Sequence, residues 1–187
     1  MAHHHPDGPP EALAVAAREL ARKVVARCGE QAARWLLVHV DSQSLALVTD
    51  SIITRTWPVS TARAGLDNRD GSGGTPPGLH QVGRRIGGDA APGTVFISRE
   101  PTDRVWQPGE KDPADLIVSR ILTLRGLEVG VNLGPGVDSE ARYIYIHGTN
   151  HPERIGEPVS HGCVRLTDPD VRELFELVNE GDPVVII

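Results

Sequence analysis

Two short segments carry side chains whose types and spacing suit acyl transfer: Tyr143-Ile144-Tyr145-Ile146-His147-Gly148-Thr149-Asn150 and Ser160-His161-Gly162-Cys163-Val164-Arg165-Leu166. A cysteine attacks as its thiolate, so near neutral pH it needs a base or a positive neighbour. Histidine, with an unperturbed pKa of about 6.5, can take the thiol proton and later return one to a leaving amine. In an extended Tyr143–His147 stretch, Tyr143, Tyr145 and His147 share one face, and Ile144 and Ile146 share the other. His147 is then expected at a strand end, with Gly148 leaving the backbone free to turn and space open beyond the imidazole. His161 would point the same way as Cys163 if their segment were extended, and is expected to position groups. The amides of Gly162 and Cys163 are candidate donors to the oxyanion of a tetrahedral intermediate. A zinc site is the competing reading, because His147 and His151 are four apart and His161 lies two before Cys163. That His spacing makes a ligand pair on a helix, whereas this stretch reads as a strand running into a loop, so no metal is expected.

These residues need a scaffold, and the rest of the chain suggests a turn-rich β architecture. Glycines and prolines separate short apolar runs at Trp35–Val40, Leu45–Val48, Ile52–Val59, Thr94–Ser98, Leu116–Leu124 and Pro183–Ile187. The first three read as an antiparallel meander. Only the two ends look helical. From Glu11 to about Cys28 apolar residues recur at helical spacing until Gly29, and this amphipathic helix is expected to cover a sheet edge or face. Cys28 is expected to be structural. Thr167 or Asp168 caps a second helix with Pro169 in its first turn, an apolar face of Val171, Leu174, Phe175 and Val178, and a stop at Gly181. The glycine-rich stretch Gly65–Gly78 can bury almost nothing, so it, or Arg99–Pro113, is expected to move over the cleft.

The strand-borne His-Gly-Thr of His147–Thr149, followed by Ser-His-Gly-Cys-Val-Arg at Ser160–Arg165, resembles the signature of the L,D-transpeptidase catalytic domain, also called YkuD-type. Trp57-Pro58-Val59-Ser60-Thr61 and Thr75-Pro76-Pro77-Gly78 extend the resemblance upstream. It implies a mainly β, sandwich- or barrel-like catalytic domain over residues 34–187, preceded by a tail and helix over residues 1–33. It also implies peptidoglycan stem peptides as substrates and no cofactor. Cys163 would attack the carbonyl on the L-centre of a diaminopimelyl residue, with His147 as base and Ser160–Gly162 helping to build the oxyanion hole. A thioester would follow, resolved by an amine to give a cross-link in wall biosynthesis, or by water to give carboxypeptidase activity. Carbapenems become expected covalent probes. Arg165 either pairs with a substrate carboxylate or makes a structural ion pair. A catalytically silent wall-binding module is a further reading, disfavoured by the intact cysteine and histidine.

The 19 Lys and Arg against 25 Asp and Glu leave a charge of −6, with no basic stripe for a phosphate backbone, so nucleic acid is not an expected partner. Two cysteines in unlike contexts suggest free thiols. No run approaches a membrane span. The histidines at 3–5 resemble a truncated affinity tag and are given no function. The substrate places the protein in the periplasm or cell envelope, although no export signal is legible. The oligomeric state is not legible either.

Overall fold

Glu11–Cys28 forms helix α1, whose buried residues Leu13, Ala16, Ala17, Ala21 and Val24 recur at the spacing of one helical face. Gly29 ends it at φ +58°, in the left-handed region that glycine enters at little cost. The computed structural model describes residues 11–29 and 33–187; the histidines at 3–5 lie outside them. The buried face of α1 packs on Trp35, Leu37, Ala46, Val48 and Val185. The alternate residues Leu36, Val38, Leu45 and Leu47 belong to the main core behind the sheet. Strand β1 (Arg34–His39) is therefore apolar on both faces, which is why its sequence reads as a continuous apolar run.

With β1, strands β2 (Ser44–Thr49) and β3 (Ile52–Pro58) make the expected antiparallel meander. On its other edge β1 pairs in parallel with the last strand, β10 (Pro183–Ile186). The order continues through β4 (Gly78–Ile86) to β7 (Ile117–Gly126) and the hairpin of β5 (Thr94–Ile97) and β6 (Glu100–Val105). β7 also pairs with β8 (Tyr145–Thr149), which runs parallel to β9 (Val164–Leu166). Just past β3 the chain meets β9, where Ser60 and Arg165 each donate an amide to the other's carbonyl at 2.9 Å. This contact closes the sheet into a ring, the barrel-like character that the family resemblance implies.

Helix α2 (Asp168–Leu177) is capped by Thr167, whose hydroxyl accepts the Asp170 amide, and it carries Pro169 in its first turn. Val171, Leu174 and Phe175 pack into the main core. The helix stops earlier than the sequence suggests. Val178 is its C-cap in an extended conformation but stays in the core, and Gly181 instead forms the turn into β10, donating its amide to Val82.

Four departures from the sequence reading bear on function. β8 runs two residues later than Tyr143–His147, because Tyr143 adopts φ +59° and leaves the sheet. β4 looks like a connection because only His80 and Val82 along it are fully buried. β6 lies at an exposed edge with no apolar face. β9 is three residues long.

The buried histidine of β4 makes stability depend on pH. His80 reaches the Gly78 carbonyl through Nδ1 at 3.1 Å and the Ser139 hydroxyl through Nε2 at 2.9 Å. A carbonyl only accepts, so Nδ1 carries the proton, and a neutral ring takes the Ser139 hydroxyl proton at Nε2. Burial pushes its pKa down to about 4. With a depressed histidine the fold has its full stability above the unfolded value of about 6.5 and loses stability as pH falls toward 4, the loss reaching about 3 kcal/mol there. Denaturant midpoints should therefore fall from pH 7 to pH 4.5, and His80→Gln should flatten part of that slope. An unchanged slope in His80→Gln would contradict this.

Candidate active site

The nucleophile candidate is positioned by β9 and the base candidate by β8. Ile146 pairs with Val164 and His147 with Arg165, so by extension Tyr145 stands opposite Cys163. Neighbours across a ladder, and residues two apart along a strand, share a face. Tyr145, His147, Cys163 and Arg165 therefore lie on one face. Ile144, Ile146, Val164 and Leu166 lie on the other, in the main core. Cys163 packs beside Tyr145, Ile121 and Phe96. His147 sits inside β8, not at its end.

Gly148 therefore does not turn the chain. It continues β8, and an added Cβ would fall 2.5 Å from the Val118 carbonyl oxygen and 2.9 Å from Val171 Cγ1. Its glycine is required by close packing against β7 and α2. Its carbonyl accepts from His147 Nδ1 at 2.8 Å, which fixes the tautomer and leaves the Nε2 lone pair available. Burial holds His147 at about pKa 4 and pushes the Cys163 thiol up to about 11. The resting pair is thus a neutral imidazole and a neutral thiol. The thiol donates to the Tyr143 carbonyl at 3.5 Å, a contact made possible by the unusual backbone of Tyr143.

The segment before the thiol is a braced turn. Gly162 lies at φ +133°, and a Cβ there would meet Ile144 Cδ1 at 2.8 Å, so the segment is not extended. His161 is exposed, with Nδ1 3.8 Å from Asp115 Oδ2. The Gly162 amide donates to Ser160 Oγ at 3.2 Å, and that hydroxyl donates to the Cys163 carbonyl at 2.6 Å. The Gly162 amide is therefore engaged within the turn. Ser160 holds the turn's shape.

Arg165 makes an ion pair. Its guanidinium, 5% exposed, donates to Asp115, so of the two readings the structure shows the ion pair. Asp115 had no motif to mark it. Asp115 itself is more than a third exposed, so water screens the pair, and Asp115→Ala, which leaves the buried guanidinium without its counter-charge, should lower stability by about 1 to 2 kcal/mol. Chemical denaturation checks this, and a loss below about 0.5 kcal/mol would contradict a buried, paired Arg165.

Gly65–Gly78 is tied down partly by burial, since Gly74, Thr75 and Pro76 are buried in a stretch expected to bury almost nothing, and partly by hydrogen bonds. The Arg142 guanidinium donates to the carbonyls of Asp67, Asn68 and Gly74 and to Ser72 Oγ. Thr75 Oγ1 donates to the Gly162 carbonyl at 2.9 Å and accepts the Ala62 amide. The loop is a wall of the nucleophile's turn. Amide exchange at Asp67 and Thr75, whose N–H groups bond across the loop, should be slow in the wild type and accelerate at least tenfold in Arg142→Met. Equal rates would contradict Arg142 as the anchor.

A cavity of about 600 Å³ opens between Trp106, Asp112, Asn150 and His151. Neither Cys163 nor His147 lines it. Among the described residues no three His, Cys, Asp or Glu side chains converge as a metal site would need. Cys28 is a free thiol against the α1 cluster.

A ring-closed β domain with histidine and cysteine presented from adjacent parallel strands narrows the class, and comparison with known proteins supplies the family. The chain belongs to the L,D-transpeptidase catalytic domain family, whose model matches residues 33–186. It is 52% identical over 100 residues to the probable L,D-transpeptidase YbiS of Escherichia coli strain K12, covering 50% of this chain and 31% of that protein. To the probable L,D-transpeptidase YcfS of the same strain it is 30% identical over 131 residues, covering 60% of this chain and 39% of that protein. The chain thus spans well under half the length of these curated relatives. In fold it is similar to the L,D-transpeptidase from Xylanimonas cellulosilytica, at TM-score 0.53 and 19% identity over 82% of this chain and 60% of that one. It is also similar to L,D-transpeptidase 3 from Mycobacterium tuberculosis in complex with a faropenem-derived adduct, at TM-score 0.51 and 18% identity over 82% of this chain and 60% of that one.

Proposed function

We propose that residues 34–187 are a cysteine acyltransferase domain acting on peptidoglycan stem peptides, with residues 1–33 as an accessory tail and helix. The observation that supports this most is the common face of Cys163 and His147, with Nδ1 of His147 held by Gly148 so that Nε2 is the free base. Cys163 Sγ attacks the carbonyl on the L-centre of a diaminopimelyl residue while His147 Nε2 takes the thiol proton. The Cys163 amide is our reading for the oxyanion donor, since that of Gly162 is engaged. The tetrahedral intermediate collapses as the imidazolium protonates the leaving amine, giving a thioester. An acceptor amine then attacks the thioester, with His147 again taking a proton, and a cross-link forms. His161 and Asp115 rim the site and position groups there, and Tyr145 forms its apolar wall.

Water in place of the amine would give a carboxypeptidase. A tetrapeptide donor incubated with and without an amine acceptor separates the two by product mass. Cross-linked dimer in excess of trimmed tripeptide is the expected result, and tripeptide alone in the presence of acceptor would overturn transpeptidation. The substrate assigns the domain to the periplasm or cell envelope. No helix among the described residues is long and apolar enough to cross a membrane.

A further inference from the structure

Two arginines, Arg165 and Arg142, act on the thiol and a third, Arg99, on the two tyrosines beside it, and their partners differ. Arg165 is neutralised by Asp115. Arg142 is engaged by four oxygens of the Gly65–Gly78 loop. Arg99, at the tip of the β5–β6 hairpin, donates Nε to Tyr145 Oη at 2.9 Å and Nη2 to the Glu140 carbonyl at 2.8 Å. Its guanidinium carbon stands 4.7 Å from the Tyr143 ring centre and 5.5 Å from that of Tyr145. Both tyrosines touch the nucleophile's surroundings: the Tyr143 carbonyl accepts from the thiol, and the Tyr145 ring packs with Cys163. No carboxylate among the described residues forms an ion pair with Arg99. It is half-buried, and the remaining N–H groups of its fork are unengaged.

A guanidinium fixed by two hydrogen bonds and two aromatic faces, without an anion of its own, is pre-organised to accept one. The geometry points to Arg99 as a specificity residue that binds a carboxylate of the donor peptide beside the scissile carbonyl. This rests on reading the site as a stem-peptide acyltransferase. Two carboxylates of the donor qualify by chemistry, that on the D-centre of diaminopimelate and that of the terminal residue.

The test measures binding of tetrapeptides to the Cys163→Ala protein by calorimetry, with both carboxylates free, with either one amidated, and with both amidated. The free form should bind about ten- to a hundredfold more tightly than the doubly amidated one, the span of a charge-assisted hydrogen-bonded pair. One of the singly amidated peptides should reproduce the loss and thereby identify the carboxylate. Adding Arg99→Gln should abolish the difference, and Arg99→Lys should keep part of it. Equal binding of free and amidated peptides, a difference that survives Arg99→Gln, or no binding of any peptide would each overturn the assignment. The amidation series on the intact Arg99 protein decides the matter even if Arg99→Gln does not fold. Acylation of the wild type, run in parallel, keeps the two proposals apart. Carboxylate preference without an acyl-enzyme would sink acyl transfer alone, and an acyl-enzyme without preference would sink the Arg99 assignment alone.

Discussion

His147→Ala is expected to lower the rate of Cys163 acylation by about 10²- to 10⁴-fold at neutral pH, the scale of a positioned general base. The structure makes the loss severe because the thiol has little thiolate of its own: burial pushes it up to about 11. The shape of the pH profile is the sharper test. In the wild type the base is active when neutral, and burial holds His147 at about 4. Acylation should therefore rise through that region and stay level across neutral pH. Without His147 the reaction depends on direct ionisation of the thiol, so the rise should move above pH 8.5 and toward about 11. His161→Ala should keep the wild-type profile, because His161 is exposed and faces Asp115. Stopped-flow acylation from pH 5 to 10 reads all three proteins. A shifted profile in His161→Ala with an unshifted one in His147→Ala would reverse the assignment of the base.

Local pattern carried the sequence reading a long way and then failed for identifiable reasons. Helix α1, the β1–β2–β3 meander, the Thr167 cap and the closing strand were legible because periodicity and turn residues are local signals. The separation of Ile144 and Ile146 from Tyr145 and His147 was legible for the same reason. What escaped depends on contacts distant in sequence. β4 holds a central place while burying few apolar residues, because its neighbours β10 and β7 supply the hydrogen bonds. Arg142 anchors a loop about 70 residues away, which no spacing rule reveals. Asp115 reaches Arg165 across 50 positions. Glycine misled at Gly148, and composition misled over the burial of Gly74, Thr75 and Pro76, because a missing side chain serves close packing as readily as it permits a turn.

Cys163→Ala should abolish covalent adduct formation altogether, the largest effect expected of any single replacement, because no other described side chain stands on the His147 face with a thiol. Cys28 controls for nonspecific chemistry. It packs against the α1 cluster, its thiol is pushed up by burial, and no histidine among the described residues is hydrogen-bonded to it, so Cys28→Ala should leave the adduct unchanged. Intact-protein mass spectrometry after incubation with a donor tetrapeptide, and in parallel with a carbapenem, tests this most directly. The wild type and Cys28→Ala should each gain the mass of one acyl group, with the peptide's terminal residue released, and Cys163→Ala should gain nothing. An adduct that survives in Cys163→Ala, or a wild type that stays unmodified by both reagents, would contradict the cysteine acyl-enzyme on which the proposed function depends.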